Sequence, residues 1–387
     1  MPGTEIGQFA PPARDHPASE FLGQHAIGMA FVRLDKRKEA IEHLRAAIAL
    51  NPTSAETIGL IGALLRREGK MQEAEQHLRA AISIKPKLIN AVVELGYTLR
   101  ATGKNDEAAR MALQADKMHG PRDDHLLGTL LFHCGFHDRA KRHLDRYLSQ
   151  YPDDPHGVRL LLAEAGIGPT PDVPPPDFLK GLYAGRIASQ WKEPAIPGKM
   201  VAAAFEQMVS TTAPLDVVDL GCGSGAVGQL IRRPHIRHLD GIDISSEMLA
   251  KAKLKSVYNG LYQDDLVGFL VKTHQSYDVA VAAAALIHLG DLQPTFMAVA
   301  GRLKQNGLLI FTVFASDDSS ADFVIHPVKK LAHGGCYAHR AGYIADLAEK
   351  TDLVLERIMR QVHEDHDGRP IHGFLVVLRK RGAPTAC

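Results

Sequence analysis

Cysteine is scarce in this sequence, and its distribution argues against two classes of site. Only four cysteines occur among 387 residues, namely Cys134, Cys222, Cys336 and Cys387. They form no CxxC pair and are not closely spaced, so neither a disulfide framework nor a thiolate zinc site is indicated. We expect reduced thiols and no resident metal.

Long apolar runs and an excess of one charge are also lacking. The nearest approach to an apolar run, Val279 to Leu289, is too short to cross a bilayer. The 45 Lys and Arg residues balance the 44 Asp and Glu residues, which disfavours a nucleic-acid partner. The N-terminus lacks the basic and apolar stretches of a signal peptide. We therefore expect a cytoplasmic protein that contacts neither nucleic acid nor membrane.

The first half of the chain repeats itself. Positions that share a spacing of 34 residues are Gly28, Gly62 and Gly96, then Ala40, Ala74 and Ala108, then Ala47, Ala81 and Ala115, and finally Pro52 and Pro86. A fourth copy follows with a shift of 32 residues, at Gly128, Ala140 and Pro152. Small residues at fixed positions let paired helices approach closely, and proline ends the second helix of each pair.

This pattern resembles the tetratricopeptide repeat, a stack of antiparallel helix pairs. One pair cannot bury its own apolar face, so neighbouring copies must stack. We expect four repeats and a capping helix from His156 to Ala165 within a domain spanning residues 20–166, preceded by a disordered arm at residues 1–19. The resemblance implies a groove for a peptide or protein partner. The alternative is a scaffold for the second domain or a homodimer contact.

A different pattern begins after residues 167–177, whose prolines predict a stiff linker. From residue 178 to 387, short apolar strands alternate with helices, which predicts a doubly wound, mostly parallel α/β domain of Rossmann-like type. The predicted parallel strands are Val217–Leu220, His238–Ile242, Gly260–Asp264, Tyr277–Ala283 and Gly307–Phe314. Two late strands, Leu353–Met359 and Ile371–Leu378, are predicted to form an antiparallel hairpin at one edge.

The first of these strands runs into a glycine-rich loop, VVDLGCGSG at residues 217–225. Open α/β sheets bind ligands at this end of the strands, and glycine lets a ligand lie against bare backbone. Asp243 ends the second strand, where it can bond a ribose diol, and Asp264 and Asp265 end the third, near an adenine edge. A nicotinamide dinucleotide is the alternative ligand. The G-x-G-x-G spacing, which continues into Ala226, favours S-adenosylmethionine instead.

With these motifs, residues 178–380 resemble a class I S-adenosylmethionine-dependent methyltransferase. The whole chain resembles a bacterial subgroup in which tetratricopeptide repeats precede that domain, through the segments LIHLGDL at 286–292 and YAH at 337–339. The resemblance implies methyl transfer to an O or N atom of a small molecule or peptide presented through the repeats, with S-adenosylhomocysteine as product. The alternative is a non-catalytic adaptor that only senses the cofactor, in which case Phe314, Tyr337 or His339 would fill the pocket.

The resemblance also implies roles for individual residues. The implied cofactor-binding residues are Tyr183, Asp219, Gly221, Cys222, Gly223, Gly225, Asp243, Ile244, Asp264, Asp265, Leu266, Ala283 and Ala284. In this assignment Asp219 holds the methionine amino group, Asp243 the ribose hydroxyls and Asp265 the adenine amino group. Ile244 lies against the adenine, and Tyr183 closes over the cofactor.

Catalysis needs a base only if the acceptor atom carries a proton. His288, which follows the fourth strand, is the first candidate, and Tyr337 and His339 in a loop near the site are the second. The alternative for each histidine is a structural bond to the backbone. Relatives commonly carry an acidic residue where this chain has four alanines, at 282–285, so the acceptor is determined in this region.

A second histidine group lies between the two late strands. His363 and His366 flank acidic residues in HEDHDGR, residues 363–369, which raises the question of a metal site. Polar residues of this kind are typical of turns. We expect a solvated turn here rather than a metal centre.

Overall fold

A computed structural model describes residues 17–118, 123–188, 195–209, 213–326, 336–366 and 368–382. Most of the predicted N-terminal arm (residues 1–16), Asp367 and Cys387 lie outside the described residues. The chain divides into two compact units, Met1–Gln150 and Tyr151–Cys387. No helix among the described residues is both long and apolar enough to span a bilayer.

The first unit, the repeat unit, consists of helices in its described part. They are α1 (Pro17–Arg33), α2 (Arg37–Leu50), α3 (Ala55–Arg67), α4 (Met71–Ile84), α5 (Ile89–Ala101), α6 (Asn105–Lys117), α7 (Asp124–His133) and α8 (His137–Gln150). Consecutive helices pair as α1 with α2, α3 with α4, α5 with α6 and α7 with α8. These helices thus form four consecutive pairs in the described part of the unit.

The 34-residue spacing follows from how each pair packs. A Cβ atom at Gly62 of α3 would lie 2.6 Å from Cγ of Leu78 in α4, so only glycine permits this approach. Gly28 has the same relation to Leu44 in the preceding pair, at 2.7 Å. Leu44 and Leu78 are fully buried. At Gly28 and Gly62, one helix therefore receives a leucine of its partner, whereas Gly96 of α5 receives Leu130 of α7 in the next pair.

The second unit, the sheet unit, is built on nine strands in its described part. They are β1 (Leu215–Leu220), β2 (Ile236–Asp243), β3 (Gly260–Gln263), β4 (Tyr277–Ala282), β5 (Leu303–Ala315), β6 (Phe323–Ile325), β7 (Tyr337–His339), β8 (Leu353–His366) and β9 (Arg369–Lys380). Strands β3, β2, β1, β4 and β5 are parallel neighbours in that order. Strand β9 pairs antiparallel with both β5 and β8, as the predicted edge hairpin requires.

Helices cover both faces of this sheet. The helices of the second unit are α9 (Val158–Glu164), α10 (Pro176–Ala188), α11 (Ala195–Met208), α12 (Ala226–Ile231), α13 (Ser246–Leu254), α14 (Leu266–Lys272), α15 (Gln293–Arg302) and α16 (Ala341–Lys350). One apolar core includes side chains of α14, α15 and α16, and a separate core includes those of α11 and α12. Two cores on one sheet define a doubly wound fold, so the predicted fold class is confirmed.

The segment expected to cap the repeats and link the domains lies in the sheet unit. Helix α9 contacts β6, and a Cβ atom at Gly157 would lie 2.6 Å from the ring of Phe178 in α10. In the proline-rich stretch, the Asp172 carbonyl accepts hydrogen bonds from the backbone N–H groups of Gly290 and Asp291, at 2.8 and 2.9 Å. The predicted cap and linker therefore pack as parts of the sheet unit.

Two local predictions were wrong. Tyr337 and His339 were expected in a loop but form β7, which pairs with β5 and β6. Residues 363–366 were expected in a solvated turn but continue β8, and His363 is fully buried. The errors have different causes. Residues 337–339 pair with the distant strand β5, whereas residues 363–366 extend the hairpin with β9 closer to its turn than a sequence rich in polar residues indicates.

Candidate functional site

A cavity of about 700 Å³ opens at the carboxyl ends of the parallel strands. Most of the predicted cofactor-binding residues line it, namely Tyr183, Gly221, Cys222, Gly223, Asp243, Ile244, Asp264, Asp265, Leu266, Ala283 and Ala284. Asp219 and Gly225 are not among the lining residues. The volume lies in the usual range for small-molecule and cofactor sites.

The glycine-rich loop forms one wall of the cavity. Gly221 has a φ of 70°, and a Cβ atom there would lie 2.4 Å from the Cβ of Ala285. The loop is held by a bond from the Cys222 N–H to the Ile242 carbonyl at 2.9 Å, and Cys222 is buried. Glycine is therefore required at 221 both by the backbone conformation and by the absence of space.

Asp243 sits between this loop and the next helix. One carboxylate oxygen accepts the Gly223 N–H at 2.9 Å, and the other accepts the Ser245 N–H at 2.8 Å. Each oxygen can accept more than one hydrogen bond. Asp243 thus fixes the loop and can still receive hydroxyl donors from a ligand in the cavity.

The acidic pair after β3 forms another part of the wall. Asp265 begins α14 and accepts the Gly268 N–H at 2.8 Å, which is an N-cap bond. Asp264 accepts a bond from Lys272 at 2.7 Å, and this bond holds the pKa of its carboxyl below the usual value. Leu266 and Ile244 add apolar surface beside the pair.

Asp219 and Gly225 do not line the cavity but contact Tyr258, a residue that the sequence analysis did not single out. The hydroxyl of Tyr258 donates to Asp219 at 2.7 Å. A Cβ atom at Gly225 or Gly228 would lie 3.0 or 2.3 Å from the Tyr258 side chain. Burial, followed by the charge of Asp219, raises the pKa of Tyr258. Tyr258 therefore packs against the side of the loop that faces away from the cavity. The glycines at positions 225 and 228 are the sequence signal for this packing, because they leave room for the tyrosine ring.

His288 and Tyr183 meet inside the cavity. The Tyr183 hydroxyl lies 2.8 Å from Nε2 of His288, and the rings pack edge to face with centroids 5.6 Å apart. Sγ of Cys336 lies 3.9 Å from Nδ1 of His288. His288 lies at the end of a short 3-10 helix, Leu286–His288, directly after the four alanines. Of the three predicted catalytic residues, His288 is the one that lines the cavity.

Tyr337 and His339 do not reach the cavity, because β7 turns both side chains inward. The Tyr337 hydroxyl donates to the Pro171 carbonyl at 2.9 Å. Nε2 of His339 bonds the carbonyls of Leu289 and Gly290 at 2.9 and 3.0 Å, and burial lowers its pKa to about 4. His339 thus holds the backbone after His288 in place, and Tyr337 holds that of the proline-rich stretch.

A polar chain runs under the alanine segment. Ala284 has a φ of 55°, which is uncommon for a residue with a side chain, and its N–H donates to Oγ1 of Thr312 at 3.0 Å. Nε2 of His363 also bonds Oγ1 of Thr312, at 3.0 Å. The next residue, Glu364, lines the cavity. The sequence missed this group because it assigned residues 363–369 to a turn.

The described residues include no group of three or more His, Cys, Asp or Glu side chains placed to hold a metal ion. Cys134, Cys222 and Cys336 form no disulfide. The lining of the cavity comprises carboxylates, the histidine–tyrosine pair and apolar surface.

Comparison with known proteins gives a family match within each unit. Residues 218–309 match the family model of a methyltransferase domain, and residues 23–54 and 55–88 match that of the tetratricopeptide repeat. An O-methyltransferase of Pyrenophora dematioidea is 23% identical over 161 residues, which are 38% of this chain and 60% of that protein. A malonyl-[acyl-carrier protein] O-methyltransferase of Bacillus cereus is 26% identical over 29% of this chain and 42% of its own length. The chain thus spans about half the length of these curated relatives.

Solved structures give the same kind of match. A 1,6-didemethyltoxoflavin-N1-methyltransferase of Burkholderia thailandensis, with S-adenosylhomocysteine bound, has a TM-score of 0.41 and 16% identity. It covers 53% of this chain and 86% of its own. The family matches agree with the predicted order of the domains, since the repeat matches at residues 23–88 precede the methyltransferase match at residues 218–309.

Proposed function

We propose that the sheet unit binds S-adenosylmethionine in the cavity and transfers its methyl group to an O or N atom of an acceptor beside His288. One observation carries this proposal. The glycine-rich loop, Asp243 and Asp265 come from three different strand ends and line a single cavity. Their convergence gives the backbone, ribose and adenine contacts that the cofactor requires at one place.

The cavity fits this cofactor in shape and charge. Gly221 leaves bare backbone at the wall, and a side chain there would collide with Ala285. We assign Asp243 to the ribose hydroxyls and the apolar surface of Ile244 and Leu266 to the adenine, since all three residues line the cavity. The carboxylates of the wall also favour a ligand that bears an ammonium group and a sulfonium.

When bound, the cofactor supplies a methyl group already activated by a positive sulfur. The protein then has to hold an acceptor atom in line with that methyl group, and such positioning accounts for much of the rate. His288 can receive the acceptor proton at Nε2 through the Tyr183 hydroxyl, since the two atoms lie 2.8 Å apart. Tyr183 and His288 are therefore the candidate base pair.

The open cavity favours an enzyme over an adaptor that only senses the cofactor. Phe314, Tyr337 and His339, which would fill the acceptor side of an adaptor, are not among the cavity-lining residues. The space beside Ala284 and His288 remains available to a second molecule.

For the repeat unit we propose binding of a peptide or protein partner, as its match to the tetratricopeptide family supports. In this proposal the repeats present either the acceptor itself or a protein that carries it. A scaffold or homodimer contact is the competing role.

Calorimetry with S-adenosylhomocysteine tests the cofactor proposal. The Asp243→Ala variant should bind it about 10- to 100-fold more weakly, because hydrogen bonds to a charged group contribute ~1.5–3 kcal/mol. Asp346→Ala, which removes an exposed carboxylate from α16, is the matched control. Equal affinity in wild type and Asp243→Ala would rule out the cofactor assignment.

A further inference from the structure

The lining of the cavity is acidic. Six carboxylates line it, namely Asp243, Asp264, Asp265, Asp291, Glu364 and Asp365. Within the part of the chain that the structure describes, no Lys or Arg is among the lining residues. A cavity with this lining attracts cations and repels anions, and its low-dielectric walls strengthen both effects.

Four of the six acidic residues divide into two groups, and the other two, Glu364 and Asp365, lie on β8. Asp243, Asp264 and Asp265 follow β2 and β3 and belong to the proposed cofactor wall. Asp291 follows the His288 segment, and one of its oxygens already accepts the Tyr343 hydroxyl at 2.8 Å. Glu364, on β8, belongs to neither of these regions. Its carboxylate is therefore not explained by cofactor binding.

The backbone of β8 is bent at this position. Val362 lies opposite His372 and Glu364 lies opposite Ile371, which leaves His363 as an extra residue in the ladder. Such a β-bulge re-aims side chains. Successive residues of a strand normally point to opposite faces, yet His363 and Glu364 are both buried, at 0% and 8% exposure.

His363 is anchored beneath Glu364. Its ring meets Phe314 edge to face at 4.8 Å, and its Nε2 bonds Thr312. Its Nδ1 lies 3.7 Å from Oε1 of Glu364. Gly373, on the neighbouring strand β9, leaves room for the His363 ring, since a Cβ atom at Gly373 would lie 2.8 Å from that ring. The bulge and its anchor hold a carboxylate at the cavity wall.

We propose that the acceptor is an amine and that Glu364 holds it in its ammonium form at the cavity wall. This inference rests on the proposed methyl transfer and specifies its substrate class. An amine gains from the acidic lining, whereas a carboxylate or phosphate acceptor would be repelled by it. A neutral acceptor would not require a buried carboxylate, and the bulge holds the Glu364 carboxylate in such a position.

The reaction balances with the groups present. The ammonium loses one proton, which passes through the Tyr183 hydroxyl to Nε2 of His288. The nitrogen lone pair then forms the N–C bond while the C–S bond breaks and its electron pair stays on sulfur. The products are an N-methylated ammonium and a neutral thioether, and Glu364 remains ionised throughout.

Binding measurements test the inference without turnover. Sinefungin resembles the cofactor but carries an amine-bearing carbon in place of the methylated sulfur. We would titrate sinefungin and S-adenosylhomocysteine separately into wild type, Glu364→Gln and Glu349→Gln. Glu349 is an exposed carboxylate of α16, so its variant controls for loss of one negative charge.

We expect Glu364→Gln to weaken sinefungin about tenfold and to leave S-adenosylhomocysteine nearly unchanged. Glu349→Gln should change neither. An equal effect of Glu364→Gln on both ligands, or no effect on either, overturns the amine inference alone. Failure of wild type to bind S-adenosylhomocysteine overturns the proposed function and this inference together.

Acceptor probes give a second measurement. Phenylalkylamines and phenylalkanoates of equal chain length would be titrated into protein saturated with S-adenosylhomocysteine. Each amine should bind more tightly than its matched carboxylate, and Glu364→Gln should reduce that preference. Carboxylates that bind as tightly as the amines, or a series in which no amine binds, contradict the proposal.

Discussion

Gly69 in the repeat unit and Gly221 in the sheet unit have nearly the same backbone conformation, with φ values of 78° and 70°. Their surroundings differ. A Cβ atom at Gly69 would meet nothing within 4 Å, whereas one at Gly221 would lie 2.4 Å from the Cβ of Ala285. In the repeats the glycine only ends a helix. In the sheet unit the glycine follows β1 and keeps the wall of the cavity thin, so one residue type serves connection in one unit and the shape of the cavity in the other.

The largest effect we expect comes from adding one methyl group at each glycine. Gly69→Ala should lower the free energy of unfolding of the repeat unit by about 1–2 kcal/mol, because alanine is strained in the left-handed backbone conformation. Gly221→Ala adds a collision with Ala285 and should weaken S-adenosylhomocysteine more than about 100-fold, because the loop must move to relieve it. Calorimetry and urea unfolding of both variants measure the two effects. Unchanged affinity in Gly221→Ala would show that this loop is not the wall we describe.

Buried histidines provide a second comparison between the units. In the repeats, the ring nitrogens of His143 lie 2.9 and 2.6 Å from carboxylate oxygens of Asp116 and Asp124. Burial raises the pKa of both aspartates, but hydrogen bonds from His143 and from arginines outweigh it and leave both pKa values low. In the sheet unit, His339 bonds carbonyl groups, and burial lowers its pKa to about 4. The two units should therefore respond differently to acid.

The sheet unit should lose stability first as the pH falls. An unfolded His339 binds a proton below its ordinary pKa of 6.5, whereas the folded one resists protonation until about 4. Its contribution is complete above pH 6.5 and is lost as the pH falls towards 4, by about 3 kcal/mol in total. The contributions of Asp116 and Asp124 persist until the pH falls below the ordinary aspartate value of 3.8.

Urea unfolding monitored separately in each unit, across this pH range, measures the difference. His339→Gln keeps a donor for the carbonyls of Leu289 and Gly290 but does not titrate. The sheet unit of that variant should show a flatter pH profile than wild type. A wild-type profile in the variant would mean that another group controls acid sensitivity.

The two units also differ in how far sequence alone predicted them. The repeats were predictable because each contact joins neighbouring helices and recurs with a fixed spacing, as at Gly62 and Leu78. The glycine loop, Asp243 and Asp265 were predictable because parallel strands bring their carboxyl ends to one edge. What the sequence missed depends on the details of strand pairing. The bulge that turns Glu364 inward requires β9, and the burial of His339 requires β5 and β6.

The packing of residues 151–188 was the other feature that the sequence did not predict. Proline-rich composition predicts an extended segment but not what it touches. Asp154 accepts the backbone N–H groups of Val158 and Arg159 at 2.7 and 2.9 Å, and thereby starts α9 within the sheet unit. Val158 and Leu160 are buried there. The contact pattern therefore indicates a cut between Gln150 and Tyr151 rather than after residue 166.

The smallest effect we expect is on cofactor binding after removal of the repeats. Deletion of residues 1–150 should leave S-adenosylhomocysteine affinity within about twofold of wild type, since every cavity-lining residue lies beyond the cut. Deletion of residues 1–165 should instead destabilise the sheet unit, because it removes α9 and the partner of Phe178. Burial of a single apolar side chain typically contributes ~1.5–3 kcal/mol. Equal stability of the two truncated proteins would contradict this boundary.

Deletion of residues 1–150 also distinguishes between the two roles proposed for the repeats. If the repeats present a peptide or protein that carries the acceptor, methylation of that large substrate should fall while methylation of a free amine is unchanged. If the repeats only scaffold or dimerise, both rates should change together or not at all. Turnover of the free amine is the internal control, because in the proposed mechanism it uses Tyr183, His288 and Glu364 and does not require the repeat unit.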